Sequence, residues 1–279
     1  MVDPLSPRPV IQVVSGLETS DGAGVRLTRV IGGPQLPMLD PFLLLDDFRS
    51  DDPEDYIAGF PAHPHRGFET VTYLLAGRMR HRDSAGHSGV IAAGGVQWMT
   101  AGRGIVHSEM PEQEDGLLAG FQLWVNLPAT EKMRAPRYQE LDAAAIPVER
   151  RPGVELRVIA GTSGGGITGP VRELITPVTY LDVTLDAGSD FREPLPSAWN
   201  ALLYVIEGAV TVAGRPLAAR QLARLGEGDG VALRAEAPSR LLLIAGHPLN
   251  EPVARHGPFV MNTEEEVRQA FHDYQAGRF

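Results

Sequence analysis

The sequence predicts an all-β protein, two small barrels in tandem closed by one helix, and three observations carry that reading. The first is punctuation. Thirty-one glycines and 23 prolines break the chain into short runs rich in valine, leucine, isoleucine and threonine, and such runs read as strands. The second is a weak internal repeat: Tyr204-Val205-Ile206-Glu207-Gly208 matches Tyr73-Leu74-Leu75-Ala76-Gly77 at an offset of 131. The third is a single helical signature near the end. Thr263-Glu264-Glu265-Glu266 is a capping box, Val267, Ala270, Phe271 and Tyr274 form an apolar stripe, and Gly277 stops it. The expected organisation is a first barrel over residues 1–135, a second over 136–256, and a terminal segment with its helix over 257–279.

In order, Val10–Val14 and Val25–Ile31 predict an opening hairpin about the Asp21-Gly22 turn. Leu39–Phe48 is an apolar run closed by Asp46 and Asp47, expected as a buried strand that ends at the surface. Thr70–Leu75 and Arg78–Arg82 form strands about Gly77, with His81 and His87 expected in solvated turns. Trp98 and Met99 are expected to fill the barrel wall beside the site described next. Phe121–Leu127 alternates as the last strand of the first barrel, and the polar, proline-bounded stretch 128–136 reads as a linker. Gly161-Thr162-Ser163-Gly164-Gly165 fits a nucleophile elbow in letters only. That motif needs a helix after the serine, and Gly166-Ile167-Thr168-Gly169-Pro170 cannot supply one; a flexible loop is expected.

The chemistry concentrates between His63 and Glu109. Residues two apart on a strand share a face, about 6.6 Å apart, so His63 with His65, and His107 with Glu109, form two pairs. Two such strands facing each other across a small barrel would bring three imidazoles and a carboxylate to one point. That donor set suits a borderline divalent metal, with iron the first expectation. At the offset of 131, His63 and His65 map to Pro194 and Pro196. At 134, which aligns Gly94-Gly95 with Gly228-Asp229, His107 and Glu109 map to Leu241 and Leu243. The second barrel is therefore expected to have an apolar interior in place of a metal.

Composition excludes several classes. The net charge is −10 and the pI about 5.3, a field that repels nucleic acid and anionic membrane. With no cysteine, disulfides and thiolate ligands are absent. The first residues show no signal peptide. The longest apolar run near the end, Leu241–Ala245, is far too short to span a bilayer. A cytoplasmic address is expected.

The stretches His63-Pro64-His65-Arg66-Gly67-Phe68-Glu69-Thr70-Val71-Thr72-Tyr73-Leu74 and Gln97-Trp98-Met99-Thr100-Ala101-Gly102-Arg103-Gly104-Ile105-Val106-His107 resemble the pirin family of the cupin superfamily. The likeness extends through Trp124–Pro128, the Gly226–Asp229 turn and Gly257–Asn262. It implies two tandem cupin barrels of the jelly-roll (double-stranded β-helix) kind. It also implies a metal in the first, usually iron, held by His63, His65, His107 and Glu109, with another divalent transition metal as the alternative. The resemblance also implies a monomer, and two roles come with it. One is quercetin 2,3-dioxygenase activity, for which the substrates are a flavonol-like molecule and dioxygen and Glu109 is the expected catalytic base. The other is iron-dependent regulation of transcription or of metabolic enzymes through a protein partner. The general cupin pattern puts its carboxylate ligand at Glu69, which by simple parity shares a face with His65; the pirin pattern puts it at Glu109, leaving Glu69 as a supporting residue.

Overall fold

In the computed structural model, which describes residues 5–279, the chain divides into two compact units. One comprises Leu17–Ala144 with Leu249–Phe279; the other comprises the segment through Gly16 with Ala145–Pro248. These bounds differ from a serial 1–135, 136–256 and 257–279 because both ends of the chain cross over. Val10–Ser15 does not pair with Val25–Ile31 but with Gln221–Leu225, and the hairpin about Gly22 is made by Leu17–Asp21 instead. Only Gly16 separates the two strands, and periodicity cannot register a change of sheet across one residue. The stretch 128–136 is no linker either. Lys132 is 1% exposed, and its Nζ donates to Gly67 O at 2.7 Å, Asn126 Oδ1 at 2.6 Å and Val260 O at 3.1 Å. The chain then continues as Arg137–Leu141, antiparallel to Val96–Thr100.

The unit that begins at Leu17 is a pair of antiparallel sheets. The larger runs in the order Arg137–Leu141, Val96–Thr100, Phe68–Ala76, Leu118–Asn126, Phe42–Ser50, Val25–Ile31, Leu17–Asp21. The smaller runs Phe60–His65, Ile105–Pro111, Arg78–Asp83, Ser88–Ala92. The Phe42–Ser50 strand does not surface at its acids: Asp46 and Asp47 are 4% and 5% exposed. Burial raises the Asp46 carboxyl to about 6, against the pull of Arg29. Arg29 closes a two-pronged ion pair on it, Nε to Oδ1 at 2.9 Å and Nη2 to Oδ2 at 2.7 Å.

The other unit repeats this plan. Its larger sheet is Val10–Ser15, Gln221–Leu225, Asn200–Glu207, Ser239–Gly246, Val178–Leu185, Val154–Ala160, Val148–Arg151, and its smaller is Asp190–Pro194, Gly230–Ala235, Ala209–Val212, Arg215–Ala218. Leu181, Val183, Leu203, Val205, Leu241 and Leu243 pack at its centre, each fully buried. The elbow-like stretch is an ordered turn there, with Ser163 N bonded to Ile167 O at 2.9 Å and its hydroxyl donated to the Glu149 carboxylate. No helix follows it.

Mostly strand, with a C-terminal helix, the chain is a two-barrel protein. The helix Glu264–Gln275 starts at Thr263, whose Oγ1 accepts from Glu266 N while Glu266 Oε2 accepts from Thr263 N at 2.9 Å. It buries Val267 and Ala270 and sets Phe271 on Phe259, ring centres 4.7 Å apart. Its Asp273 reaches the ligand-bearing region: Arg66 Nη1 donates to Asp273 Oδ2 at 2.7 Å, an ion pair 4% and 15% exposed. Among the described residues no helix is long and apolar enough to cross a membrane.

Candidate metal centre

His63 and His65 lie on the strand Phe60–His65, and His107 lies on Ile105–Pro111; these strands are antiparallel neighbours in which His107 faces His63 and Ile105 faces His65. The pleat points all three imidazoles to one side. One nitrogen from each ring falls within 4.8 Å of the others, which small side-chain rotations close onto a single ion. The ring centres of His63 and His107 are 4.5 Å apart, those of His63 and His65 4.7 Å, and those of His65 and His107 5.1 Å.

The protonation states suit ligation. Burial, then the neighbouring imidazoles, push His65 and His107 well below the usual histidine range, so both are neutral. For His65 the Pro258 carbonyl pulls weakly the other way, although neither ring nitrogen of His65 or His107 reaches a hydrogen-bond partner. Orphaned buried nitrogens cost free energy, and an ion would satisfy one on each ring. His63 Nδ1 sits 2.8 Å from Pro61 O; donation to that carbonyl fixes the tautomer that leaves Nε2 free to ligate.

Glu109 lies two residues beyond His107, past a bulge in the pairing with Phe60–His65. Its carboxylate is not one of the three clustered donors. Thr72 Oγ1 donates to its Oε1 at 2.7 Å and Gln122 Nε2 lies 3.5 Å from Oε2. Burial raises its pKa, partly countered by the Thr72 bond and by His63. Glu69 sits elsewhere. It is paired across the sheet with Thr100, whose Oγ1 donates to Glu69 Oε1 at 2.6 Å, and the Trp98 indole also bonds to it. Simple parity fails because Arg66-Gly67 breaks the strand between His65 and Phe68. Gly67 takes φ 91°, and a Cβ there would lie 1.9 Å from Val260 O. After that turn the even positions, Phe68, Thr70 and Thr72, share the histidine side, and Trp98 goes with Glu69 to the other face.

His63 and His65 line a cavity of about 570 Å3 that also borders Thr72, Glu109, Gln122 and Trp124. Thr72 and Gln122 went unnoticed in the sequence. Their signal is a polar residue at an inward position of an otherwise apolar strand, each directly opposite the other. His81, expected in solvent, is 2% exposed; it stands across from Glu109, stacks on Tyr138 with ring centres 5.5 Å apart, and pairs with Glu140. Gly89 makes room for that pair, since a Cβ there would fall 2.4 Å from Glu140 Oε1. His87 is exposed, as expected, and bonds to Asp83.

Comparison with known proteins follows this geometry. Residues 24–125 match the pirin model and residues 180–279 the pirin C-terminal cupin domain. A pirin-like protein of Caulobacter vibrioides is 56% identical over 273 residues, 98% of this chain and 99% of that one. A crystallised quercetin 2,3-dioxygenase of Acinetobacter baumannii is 35% identical with a TM-score of 0.90, covering 99% of both chains. A bacterial pirin of Escherichia coli in complex with nickel(II) shares the fold at 20% identity and a TM-score of 0.67, covering 85% of this chain and 99% of that one. Two barrels on one plan, three histidines gathered in the first, and matches that run along nearly all the chain place this protein in the pirin family of cupins.

Proposed function

We propose that this protein is a metal-dependent dioxygenase that opens the central ring of a flavonol such as quercetin, or of a similar enediol-like molecule, with release of carbon monoxide. The observation that supports it most is the four buried, unpartnered ring nitrogens of His65 and His107 beside His63, at the end of a cavity of substrate size. His63, His65 and His107 would hold the metal, iron(II) in this reading, with Glu109 as the fourth ligand. Imidazole donors also accept other divalent transition metals. When bound, the ion would supply Lewis acidity toward the substrate's hydroxyl and carbonyl oxygens and open positions for them.

The chain's own residues supply the rest. Burial makes the Glu109 carboxylate a stronger base than one in water. Thr72 bonds Oε1 at 2.7 Å and Gln122 reaches Oε2 only at 3.5 Å, so Oε2 is the oxygen that would receive the proton of the substrate's 3-hydroxyl. Phe48, Phe60 and Met79 give the planar rings an apolar wall and keep water from the deprotonated substrate. The A. baumannii relative, a quercetin 2,3-dioxygenase, agrees with this choice of substrate class.

The test is turnover. Iron-loaded protein with quercetin and dioxygen should bleach the flavonol's near-ultraviolet band, and His63→Ala should lower that rate at least about 100-fold, in the range lost with a key catalytic group. Equal rates in the two proteins would refute the proposal.

A further inference from the structure

The wall of the cavity carries two guanidinium groups in very different states. Arg29 is saturated: its fork closes on Asp46, and Nη2 also reaches Asp21 Oδ2 at 2.7 Å. Arg255, on the short strand Ala254–His256, is not. Its Cζ lies 4.7 Å from the centre of the Trp124 ring, and Nη1 donates to Leu43 O at 3.2 Å. An arginine has five N–H donors in a planar fork, and no carboxylate of the described residues lies within ion-pair distance of this one. The stacking and the single tether hold the group in place without using up the fork.

The surroundings place that charge close to the metal centre. Trp124, on which Arg255 stacks, packs against His65, ring centres 5.2 Å apart. Trp124 thus lies against both His65 and Arg255, and Leu27, Phe48, Phe60 and Met79 line the cavity elsewhere. A ligand in this cavity therefore meets imidazoles, an apolar wall, and a preorganised cation with no carboxylate partner, held on the same Trp124 that packs against His65. A carboxylate is the group that such a fork binds best, through two parallel charge-assisted hydrogen bonds.

We infer that the substrate carries a carboxylate besides its metal-chelating oxygens, and that Arg255 receives it. The chelating half rests on the dioxygenase reading above; the carboxylate half does not. Arg255 is thus a specificity residue: it selects among planar substrates by whether they carry that charge.

The experiment is calorimetric, on the full chain. Iron(II)-loaded protein under argon is titrated with 3-hydroxyflavone-4′-carboxylate and with its methyl ester. Wild type should bind the acid about tenfold more tightly than the ester, the scale of one charge-assisted contact. Arg255→Gln should bring the ratio to about one while keeping its metal content, and Arg255→Lys should retain part of it. An acid-to-ester ratio unchanged in Arg255→Gln overturns the inference, and would mean that Arg255 only balances Asp21 and Asp46. A second arm, metal-free protein with 2-naphthoate, separates the two readings. If neither flavonol binds, the substrate class proposed above fails on its own. In that event about tenfold weaker naphthoate binding in Arg255→Gln still supports this inference, and equal binding overturns it.

Discussion

Where the first barrel sets His107 opposite His63, the second sets Val231 opposite Glu193. Following the ladders, Glu109 corresponds to Leu233, and the Thr72 and Gln122 pair corresponds to Leu203 and Leu243. Same sheets, same strand order, opposite filling. Leucine and valine pack the second interior to contact, whereas the first carries imidazoles, hydroxyl, amide and carboxylate around open space. The difference shows what a barrel must give up to hold an ion. A polar interior forfeits roughly 1.5–3 kcal/mol of burial for each large apolar side chain not used, and it needs a partner for every buried donor and acceptor. The one acid at a ligand position in the second barrel, Glu193, is fully buried and already engaged by Arg151 Nη2 at 2.8 Å and Gly164 N at 2.5 Å. It is part of the structure there and leaves no free donor.

The largest effect that separates the barrels is metal retention. His107→Ala should bring the metal content of purified protein, read by elemental analysis, from near one per chain to background. It should also remove the thermal stabilisation given by added metal, about 4 kcal/mol at a concentration a thousandfold above Kd. Glu193→Gln should leave the metal content unchanged even though it disturbs a buried ion pair. Retained metal in His107→Ala, or loss in Glu193→Gln, would reverse the assignment of roles.

Acid should distinguish them next. In the metal-free protein His65 and His107 resist protonation because burial disfavours the cation, while the same residues in the unfolded chain take up protons near 6.5. Below that pH the unfolded state binds more protons, so stability is lost as pH falls, by about 1.4 kcal/mol per pH unit for each imidazole until the folded site also protonates. Among the described residues the second unit has no buried histidine; its His247 is exposed. Chemical denaturation of metal-free protein between pH 7 and 5 should show the loss, and His65→Gln with His107→Gln should reduce it, leaving the share of His81, which burial also holds below the usual histidine range. A slope unchanged by both substitutions would place the sensitive groups elsewhere.

Much of this could be read from the letters, for reasons that also explain the failures. Strand alternation and turn glycines report local geometry, so the two strands that bear His63, His65 and His107 were legible, as was the capped helix. What escaped depends on distant pairing. The repeat slips because Arg82–Ser88 in the first barrel is replaced by Ala213-Gly214 in the second, which lowers the offset from 131 to 126 (215 − 89), and shorter connections farther on lower it to 124 at the strand of Glu109 (233 − 109) and 121 at the strand of Gln122 (243 − 122). Leu241 and Leu243 are therefore the counterparts of Gly120 and Gln122, and the ligand positions fall at Val231 and Leu233. An apolar second interior was foreseen, through the wrong residues. His81 looked like a turn residue because its neighbours Arg80 and Arg82 are polar; its burial comes from Tyr138 and Glu140, far along the chain.

Glu69 offers the smallest effect and the sharpest check on the geometry of the first barrel. Counting by twos from His65 puts it at the metal; the Gly67 turn puts it behind the sheet, against Thr100 and Trp98. Glu69→Gln keeps the shape and one accepting oxygen for these donors, and burial already favours the protonated form of the native acid. The substitution should cost about 1 kcal/mol of stability or less and change metal affinity by under about twofold, within 0.4 kcal/mol. Glu109→Gln, which alters a carboxylate on the histidine side, should weaken metal binding by much more. If the two variants lost metal equally, the strand would have to run through Gly67 without changing face, and Glu69 would join the donors.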